Sequence, residues 1–506
     1  MNIWIVRAKK VIYGSALVAL LFLSIVSLIY SSDGYVLTVN SPLRICLSLI
    51  WGAILLVLCR GVVYCVEKLP RIWHVVGGMV LFVSAVSFSA WWIVNSANMP
   101  QSDAKAVYDI ACRAKEHDLL PIAPTGSYMS LWPFQSGLVM FMETILRLIP
   151  NADEMTIQWM YLPFMALSLI SGYMVVKKMF PSIMTRVIWC ILMFLCFPYY
   201  FFINNMYGDV PGIALTLFTM WMLLEYTDKP VWVKLVFAGM GLAVAVAVRK
   251  NTMIFCIACI LVFGVQLLVY RKKQYLFVIL LVLVSSAAGA VLPGKVYEYR
   301  AKNTMGEGVP AIAYIAMGLQ WSEGRSPGAW NGYHSDLFME CGYDSDLTAE
   351  ISLESVEDSL EYMVKHPMYM TQFFYYKLVY QWAREDYGCL YATLDFYDNR
   401  TSAAWDIYQG KAKDRYIDIM AIHQSVVYIG AVGFCILGAV RWKKKEDYNI
   451  QNLIPLVAFI GGFLFSIIWE ASSRAVMAYF VLIIPYAADG VAGVSSRVAE
   501  RLRPAG

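Results

Sequence analysis

Charged residues are scarce in this sequence. Lys, Arg, Asp and Glu together make up 15% of its 506 residues, whereas a soluble domain contains about 25%. Hydrophobic residues make up 59%, which excludes an ordinary soluble globular protein and predicts an integral membrane protein. The net charge is only +4, so no strongly basic character indicates nucleic acid as a partner.

The sequence also lacks the spacings of a metal site or a disulfide framework. It has eleven Cys and five His, and none of them follow a metal-ligand pattern. We therefore predict no metal site and no required cofactor, and leave dependence on a divalent metal open. Most Cys lie in apolar runs, where a small buried hydrophobe is the ordinary role. A bridge between Cys341 and Cys389, which lie in polar segments, is an open alternative.

Twelve apolar runs together cover a little under half of the chain. A membrane-spanning helix needs about 20 predominantly apolar residues, and most of the runs approach this length. The predicted fold class is therefore an all-α polytopic membrane protein with about 12 transmembrane helices. The runs lie near 11–30, 45–66, 75–95, 153–176, 186–203, 210–226, 235–248, 253–270, 275–292, 423–440, 451–469 and 476–493.

Basic residues cluster in every second gap between these runs. The positive-inside rule makes that side cytoplasmic, so we predict a multi-pass protein of the plasma membrane with both termini in the cytoplasm. The predicted divisions are an N-terminal transmembrane hairpin (1–74), a transmembrane core (75–292) whose first outer loop covers 96–152, an extracytoplasmic loop domain (293–424), and C-terminal transmembrane helices with a cytoplasmic tail (425–506).

The first outer loop contains the polar stretch NMPQSDAKAVYDIACRAKEHD (98–118). Ser102 is a good helix N-cap, and the residues after it place one apolar stripe on a helix. We predict a short amphipathic helix on the outer face of the membrane. The stripe consists of Val107, Ile110, Ala111 and Ala114.

Asp103 falls in the first turn of this helix, where the helix dipole favours an ionised carboxylate. Asp109 lies six residues later and therefore on a different face. On residue chemistry alone, Asp103 is also explained as a helix-start carboxylate in solvent. A second amphipathic stretch, at 132–150, contains Glu143 and Arg147, and we predict a helix at the membrane surface there.

Further ionisable residues fall on the predicted outer side, where such groups at membrane depth are often functional. Each has an ordinary alternative: an Asp that stabilises a turn, cations that reach lipid headgroups, or a salt bridge between residues four apart. These residues are Asp209 in NNMYGDVPG, Arg249 and Lys250 in the RKN turn, Lys377 in an aromatic helix, and Glu470 with Arg474 near the last span.

In these motifs the sequence resembles the polytopic type C glycosyltransferases (GT-C fold), of the protein O-mannosyltransferase and lipid A aminoarabinose transferase kind. The resemblance covers the chain from about residue 75 and is strongest to uncharacterised bacterial members, so no sugar is implied. It rests on the order and sidedness of SDAKAVYDIA, YMSLWPFQSGL, YGDVPG, RKN, YIAMGLQWSEGRSPGAWNGY and WEASSRA.

The resemblance implies transfer of a sugar, with inversion, from a polyprenyl-phosphate lipid to an acceptor outside the cytoplasm, which is a cell-surface glycan, a lipid or a protein. It implies that Asp103 is the general base and that Asp209, the second catalytic candidate, orients the acceptor or another polar partner. Ala475 departs from the family pattern, in which Tyr often follows this Arg. The lipid-phosphate candidates are Arg249, Lys250, Lys377 and Arg474, and the candidates for an acceptor or sugar pocket are Tyr128, Trp132, Gln135, Tyr207 and Glu470.

Two other functions stay open at the level of the sequence. A flippase or transporter of a lipid-linked sugar would need charges along a path through the membrane, and the predicted spans contain few besides Arg60. A glycan polymerase or ligase with a diphosphate-linked donor would share the outer-face site. An outer-face carboxylate beside cations favours the transferase.

Overall fold

The computed structural model describes residues 3–33, 36–392, 400–443 and 449–502. These residues are almost entirely helical. Strands Tyr30–Asp33 and Val36–Val39 form a single antiparallel hairpin, in which Tyr30 pairs with Val39. The prediction of an all-α polytopic fold is confirmed.

The long helices match the predicted apolar runs. Ten of them are long and apolar enough to cross a membrane, so the chain is a multi-pass membrane protein. The run near 186–203 is a bent pair, Ile183–Phe194 and Phe197–Asn205, with a 50° bend. The run near 235–248 is the shorter helix Trp232–Val248. Among the described residues the ten are Ile3–Ile29, Pro42–Lys68, Arg71–Ser96, Glu154–Met179, Asp209–Asp228, Thr252–Tyr270, Lys273–Ala301, Lys411–Lys443, Ile454–Ile468 together with the preceding turn Ile450–Leu453, and Ser473–Leu502.

The first outer loop and the long polar region form the remaining helices. The first loop contains Ser102–Lys115, Tyr128–Leu131, the 3₁₀ turn Pro133–Gln135 and Ser136–Leu148. The long region contains Ala311–Gly318, Tyr333–Glu340, Ser345–Lys365, Pro367–Trp382, Cys389–Ala392 and Ser402–Gln409. Two further 3₁₀ turns are Phe202–Asn205 and Ile450–Leu453.

Two helices continue beyond the boundaries that we predicted for the long polar region. The helix that precedes it ends at Ala301 rather than near 292, and the helix that follows it begins at Lys411 rather than near 425. The added turns carry charged residues such as Arg300 and Asp414. Apolar content marks only the part of a helix that lies within hydrocarbon. It therefore gave no signal for the polar ends of these two helices. The predicted division into segments otherwise stays a prediction.

Small residues allow close contact between helix Lys411–Lys443 and the last helix, Ser473–Leu502. A Cβ on Gly490 would lie 1.9 Å from the carbonyl O of Gly430, so the two helices touch backbone to backbone. The N-terminal helix packs on the same helix Lys411–Lys443, where the ring of Tyr13 covers Gly438. The first span therefore belongs to the same hydrophobic core as the rest.

One end of the bundle carries basic residues paired with acidic ones. Lys178 Nζ lies 2.8 Å from both Glu225 Oε1 and Asp228 Oδ2, and Lys234 Nζ lies 2.9 Å from Glu225 Oε2. These lysines come from two gaps that we predicted on one side. That this side faces the cytoplasm stays a prediction. All eleven cysteines are free, so the Cys341–Cys389 bridge is not formed.

Candidate active site

The amphipathic helix of the first outer loop forms as Ser102–Lys115. All four residues of its predicted stripe, from Val107 to Ala114, are buried, which confirms the helical pattern. The residue before the helix is Gln101, so Ser102 is the first helical residue and its prediction as N-cap was wrong by one position. Asp103 lies in the first turn, as predicted. Asp109 lies on an exposed face, where its carboxylate pairs with Lys105 Nζ at 3.0 Å.

A buried carboxylate fixes the other end of this helix. Glu143 is 3% exposed and accepts hydrogen bonds from Arg147 Nε at 2.8 Å, Arg300 Nη1 at 2.9 Å and Tyr297 Oη at 2.5 Å. Both arginines also donate to the carbonyl O of Ala114, at 2.7 and 3.3 Å, where a helix C-terminus attracts cations. The helix that carries Asp103 is thereby held to two neighbours.

The predicted surface helix at 132–150 is shorter and more buried than expected. It forms as Ser136–Leu148, and its Glu143 side is covered by Tyr297 and Arg300 of a long span. Burial raises the pKa of Glu143, but hydrogen bonds from Arg300, Tyr297 and Arg147 outweigh it, so the net pKa lies below the usual value. Glu143 is therefore charged and structural.

The NNMYGDVPG and RKN turns meet through an ion pair. Arg249 Nη2 lies 2.9 Å from Asp209 Oδ1, and Asn205 Nδ2 donates to Asp209 Oδ2 at 3.3 Å. Asp209 is 4% exposed, so its charge requires a partner. A Cβ on Gly208 would lie 1.8 Å from the carbonyl O of Val248. Only glycine lets these two turns come close enough for the pair to form.

Tyr207 connects this ion pair to the last predicted motif. Its ring centroid lies 5.3 Å from Arg249 Cζ and 4.5 Å from Arg474 Cζ, which are cation–π distances. Gln135 Nε2 donates to the Tyr207 hydroxyl. Burial, together with the nearby Asp103 carboxylate, raises the pKa of Tyr207 to about 12. Residues from four separately predicted motifs thus meet at the Tyr207 ring.

A cavity of about 200 Å³ lies beside this convergence. Asp103, Glu470 and Arg474 all line it, although they come from opposite ends of the sequence. Burial and the Asp103 carboxylate raise the pKa of Glu470 to about 7, against the opposing effects of Arg474 and Lys377. The cavity therefore holds two carboxylates and a guanidinium within mutual electrostatic reach.

A group of aromatic rings lies near Asp103 and Glu470 without lining the cavity. Tyr314 stacks on Trp469 with centroids 5.1 Å apart and an interplanar angle of 9°. The His334 ring centroid lies 4.6 Å from that of Tyr314 and 6.4 Å from that of Trp132. Trp132 in turn lies 4.8 Å from Tyr128. These rings form an aromatic wall of five members, Tyr128, Trp132, Tyr314, His334 and Trp469.

Three polar atoms of this aromatic wall are buried and make no hydrogen bond of good geometry among the described residues, although Asp103 lies near the Tyr128 hydroxyl and Trp132 near that of Tyr314. They are the hydroxyls of Tyr128 and Tyr314 and Nδ1 of His334. Leaving such a group unpaired costs about 1–3 kcal/mol. Burial lowers the pKa of His334 to about 4, so its ring is neutral at pH 7. Rings with unpaired polar atoms suit a ligand that has both apolar faces and hydroxyl groups.

Three of the four candidate cations, Arg249, Lys250 and Lys377, do not line the cavity. Lys250 Nζ donates to the carbonyls of Ala290 at 3.0 Å and Gly289 at 3.4 Å, and burial lowers its pKa to about 8. Lys377 is fully buried and donates to the carbonyl O of Gly318 at 2.5 Å. Neither lines the cavity. Lys377 still interacts electrostatically with Glu470.

Sequence reasoning missed several residues near the cavity. Arg384 lines it, and the run of three charges at 384–386 directly after an aromatic helix was the signal that could have found it. Tyr314 and Trp469 lay within quoted motifs, and His334 follows one of them. Among the described residues, no group of three or more His, Cys, Asp or Glu could hold a metal ion. Independence from metal stays a prediction.

Comparison with solved structures finds likenesses, among them a distant one to an oligosaccharyltransferase. No protein-family model matches the chain, and no curated protein matches it. The crystal structure of the Archaeoglobus fulgidus oligosaccharyltransferase, tethered by a disulfide bond to an acceptor peptide containing the NVT sequon, is similar with a TM-score of 0.42 and 12% identity. The match covers 85% of this chain and 51% of that protein, so this chain spans about half its length. A likeness of this size assigns no function.

Proposed function

We propose that the protein is an integral membrane glycosyltransferase of the GT-C type, which transfers a sugar from a polyprenyl-phosphate donor to an extracytoplasmic acceptor. The observation that carries this proposal is the cavity at which Asp103 and Arg474 meet. A base and a cation beside one cavity are what displacement of a phosphate leaving group requires. The acceptor is a cell-surface glycan, a lipid or a protein.

In the proposed reaction Asp103 acts as the general base. An acceptor hydroxyl oxygen attacks the anomeric carbon of the donor sugar while Asp103 removes the hydroxyl proton. The bond between that carbon and the phosphate oxygen breaks, and polyprenyl phosphate leaves with the electron pair. Attack from the face opposite the leaving group inverts the anomeric configuration. Arg474 stabilises the negative charge that develops on the phosphate.

Asp209 has a supporting part in this proposal. Its polar partner is Arg249 at 2.9 Å, and Arg249 in turn lies over the Tyr207 ring. We assign the pair to positioning Tyr207 beside Arg474 rather than to proton transfer. Arg249 stays a candidate for the donor phosphate through its remaining N–H groups.

The aromatic wall is the proposed acceptor or sugar pocket. Tyr128 and Trp132 belong to it, as the resemblance implied, and Tyr314, His334 and Trp469 join them. Aromatic faces pack against the C–H faces of sugar rings, while the unpaired hydroxyls can bond to sugar hydroxyls. Gln135 fixes Tyr207 at the edge of this pocket. The site is proposed to face outward from the plasma membrane, with both termini in the cytoplasm.

A donor screen tests the proposed function. The purified protein is reconstituted in lipid vesicles with a panel of sugar-linked polyprenyl phosphates and candidate acceptors, and release of free polyprenyl phosphate is followed. We expect release with one donor, without an added metal. Tight binding of a donor without release would instead support a carrier of lipid-linked sugars, and turnover only with diphosphate-linked donors would support a polymerase or ligase.

The apparent KM for the donor is expected to rise as pH increases through neutrality. The pKa of Glu470 is about 7, so above that pH its carboxylate adds a negative charge to a cavity that binds an anion. Burial lowers the pKa of Lys377 to about 7, so loss of its positive charge acts in the same direction. The other charged groups facing Glu470 are Asp103 and Arg474. The rise is expected to be about threefold to tenfold between about pH 6 and 8.

Initial rates measured against donor concentration across this pH range check the expectation. Glu470→Gln should flatten most of the profile, because the glutamine stays neutral. Asp109→Asn is the matched control, since that carboxylate is exposed and pairs with Lys105. A Glu470→Gln profile as steep as that of the wild type would remove Glu470 from the donor site.

A further inference from the structure

A tight turn at Arg384–Gly388 forms one side of the cavity. It follows helix Pro367–Trp382, and both Arg384 and Gly388 line the cavity together with Ser473 and Arg474. Arg384 is 5% exposed. Burying a guanidinium is costly unless it is paired with an anion. The groups around Arg384 therefore indicate which anions can pair with it.

The turn is held from inside by its own carboxylate. Asp386 Oδ1 accepts hydrogen bonds from Arg384 Nε at 2.6 Å and from the backbone N–H of Gly388 at 2.8 Å. Gln424, on helix Lys411–Lys443, donates to the carbonyl O of Arg384 at 3.1 Å and to the Tyr387 hydroxyl at 2.9 Å. The backbone on both sides of Asp386 is therefore fixed, and Arg384 is held in one orientation.

The N-terminal spans also support this turn. Glu385 is 3% exposed, and its Oε1 lies 3.5 Å from Arg44 Nη2 on helix Pro42–Lys68. Arg44 also donates to Asn40 Oδ1 at 3.0 Å and to Asp418 Oδ1 at 3.2 Å. The hairpin that lies outside the family resemblance thus contacts the residue next to Arg384.

Gly388 lies against the guanidinium of Arg384 at the edge of the cavity. Its φ is +77°, a conformation that favours glycine. A Cβ there would lie 3.6 Å from both Arg384 Cζ and Ser473 Oγ, in contact with the plane of the guanidinium.

We propose that Arg384 and Arg474 together bind the phosphate of the lipid-linked donor, with Arg384 as a phosphate-binding residue that the family motifs do not assign. Guanidinium groups bind phosphate oxygens through paired N–H donors. Among the described residues, Arg384 and Arg474 are the arginines in the lining of the cavity, whereas Arg249 and Lys250 do not line it. The assignment rests on the proposed function, because it names the subsite for its leaving group.

Binding of the sugar-free lipid tests this inference independently of sugar transfer. The probe is a radiolabelled polyprenyl phosphate, titrated onto the full-length protein in lipid nanodiscs, with an uncharged polyprenol of the same length and inorganic phosphate as competitors. We expect Arg384→Gln to weaken polyprenyl phosphate binding about tenfold to one hundredfold, while polyprenol binding is unchanged. Competition by inorganic phosphate would show that the headgroup itself is bound.

Matched variants separate binding from folding. Arg384→Lys keeps the positive charge but lacks the planar guanidinium group, so it should bind polyprenyl phosphate with intermediate affinity. This variant provides a readout if Arg384→Gln does not fold. Arg113→Gln is the control, because Arg113 is an exposed arginine that pairs with Asp118 at 2.7 Å. Wild-type affinity in a folded Arg384→Gln variant, or an equal loss of polyprenol binding, would overturn the inference.

The outcomes also distinguish this inference from the proposed function. Loss of lipid-phosphate binding in Arg384→Gln, in a protein that releases no polyprenyl phosphate from any donor, would uphold the phosphate subsite and reject the transferase. Sugar transfer together with normal lipid-phosphate binding by Arg384→Gln would uphold the transferase and reject the phosphate subsite.

Discussion

Replacing Asp103 by Asn is expected to reduce sugar transfer by about 10²–10⁴-fold, the usual contribution of a general base. Asn has nearly the same shape but cannot accept the proton of the acceptor hydroxyl. Asp103 lies at the first turn of a helix whose other end is fixed by Glu143, Arg147 and Arg300. The substitution should therefore leave the fold intact. Release of polyprenyl phosphate, measured at equal amounts of monodisperse protein, checks the expectation.

A second acceptor separates proton transfer from positioning. An acceptor analogue with a more acidic nucleophile needs less help from a base, so it should lose less rate in Asp103→Asn than the natural alcohol does. Asp109→Asn is the matched control on the exposed face of the same helix and should transfer at the wild-type rate. Wild-type turnover by Asp103→Asn would refute the assignment of the base.

Breaking the Asp209–Arg249 pair is expected to lower the free energy of unfolding by about 3–5 kcal/mol, because either single substitution leaves an uncompensated buried charge. Asp209 is 4% exposed, and its carboxylate is 2.9 Å from Arg249 Nη2. Activity should also fall in Asp209→Asn and Arg249→Gln, because Tyr207 loses a neighbour on one side of its ring.

The double variant Asp209→Asn/Arg249→Gln should recover much of the lost stability but not the activity. Removing both charges leaves no unpaired ion, so the double-mutant cycle should show a large favourable coupling. Thermal or denaturant unfolding in detergent micelles measures it. The exposed Lys105–Asp109 pair provides a second cycle, whose coupling should stay below about 1 kcal/mol. Additive effects at Asp209 and Arg249 would contradict a buried pair.

Much of the architecture could be predicted from the sequence, because each segment that crosses the hydrocarbon core must satisfy its own backbone hydrogen bonds. Each apolar run had to form a helix to satisfy its own backbone, and all twelve predicted runs correspond to helices, one of them bent. The stripe from Val107 to Ala114 followed helical geometry and is buried. Helix ends were less predictable, since the polar turns near Arg300 and Asp414 carry no apolar signal.

Composition and charge order alone therefore determined that this is a polytopic helical membrane protein, and they predicted that the acidic and basic motifs lie on one side of it. Only the tertiary structure decided which of these groups share a cavity. It held Lys250 and Lys377 on backbone carbonyls, paired Arg249 with Asp209, and placed Arg384 beside Arg474. Hydropathy fixes the depth of a residue in the membrane, whereas its lateral neighbours depend on helix packing, which a single sequence does not encode in any local pattern.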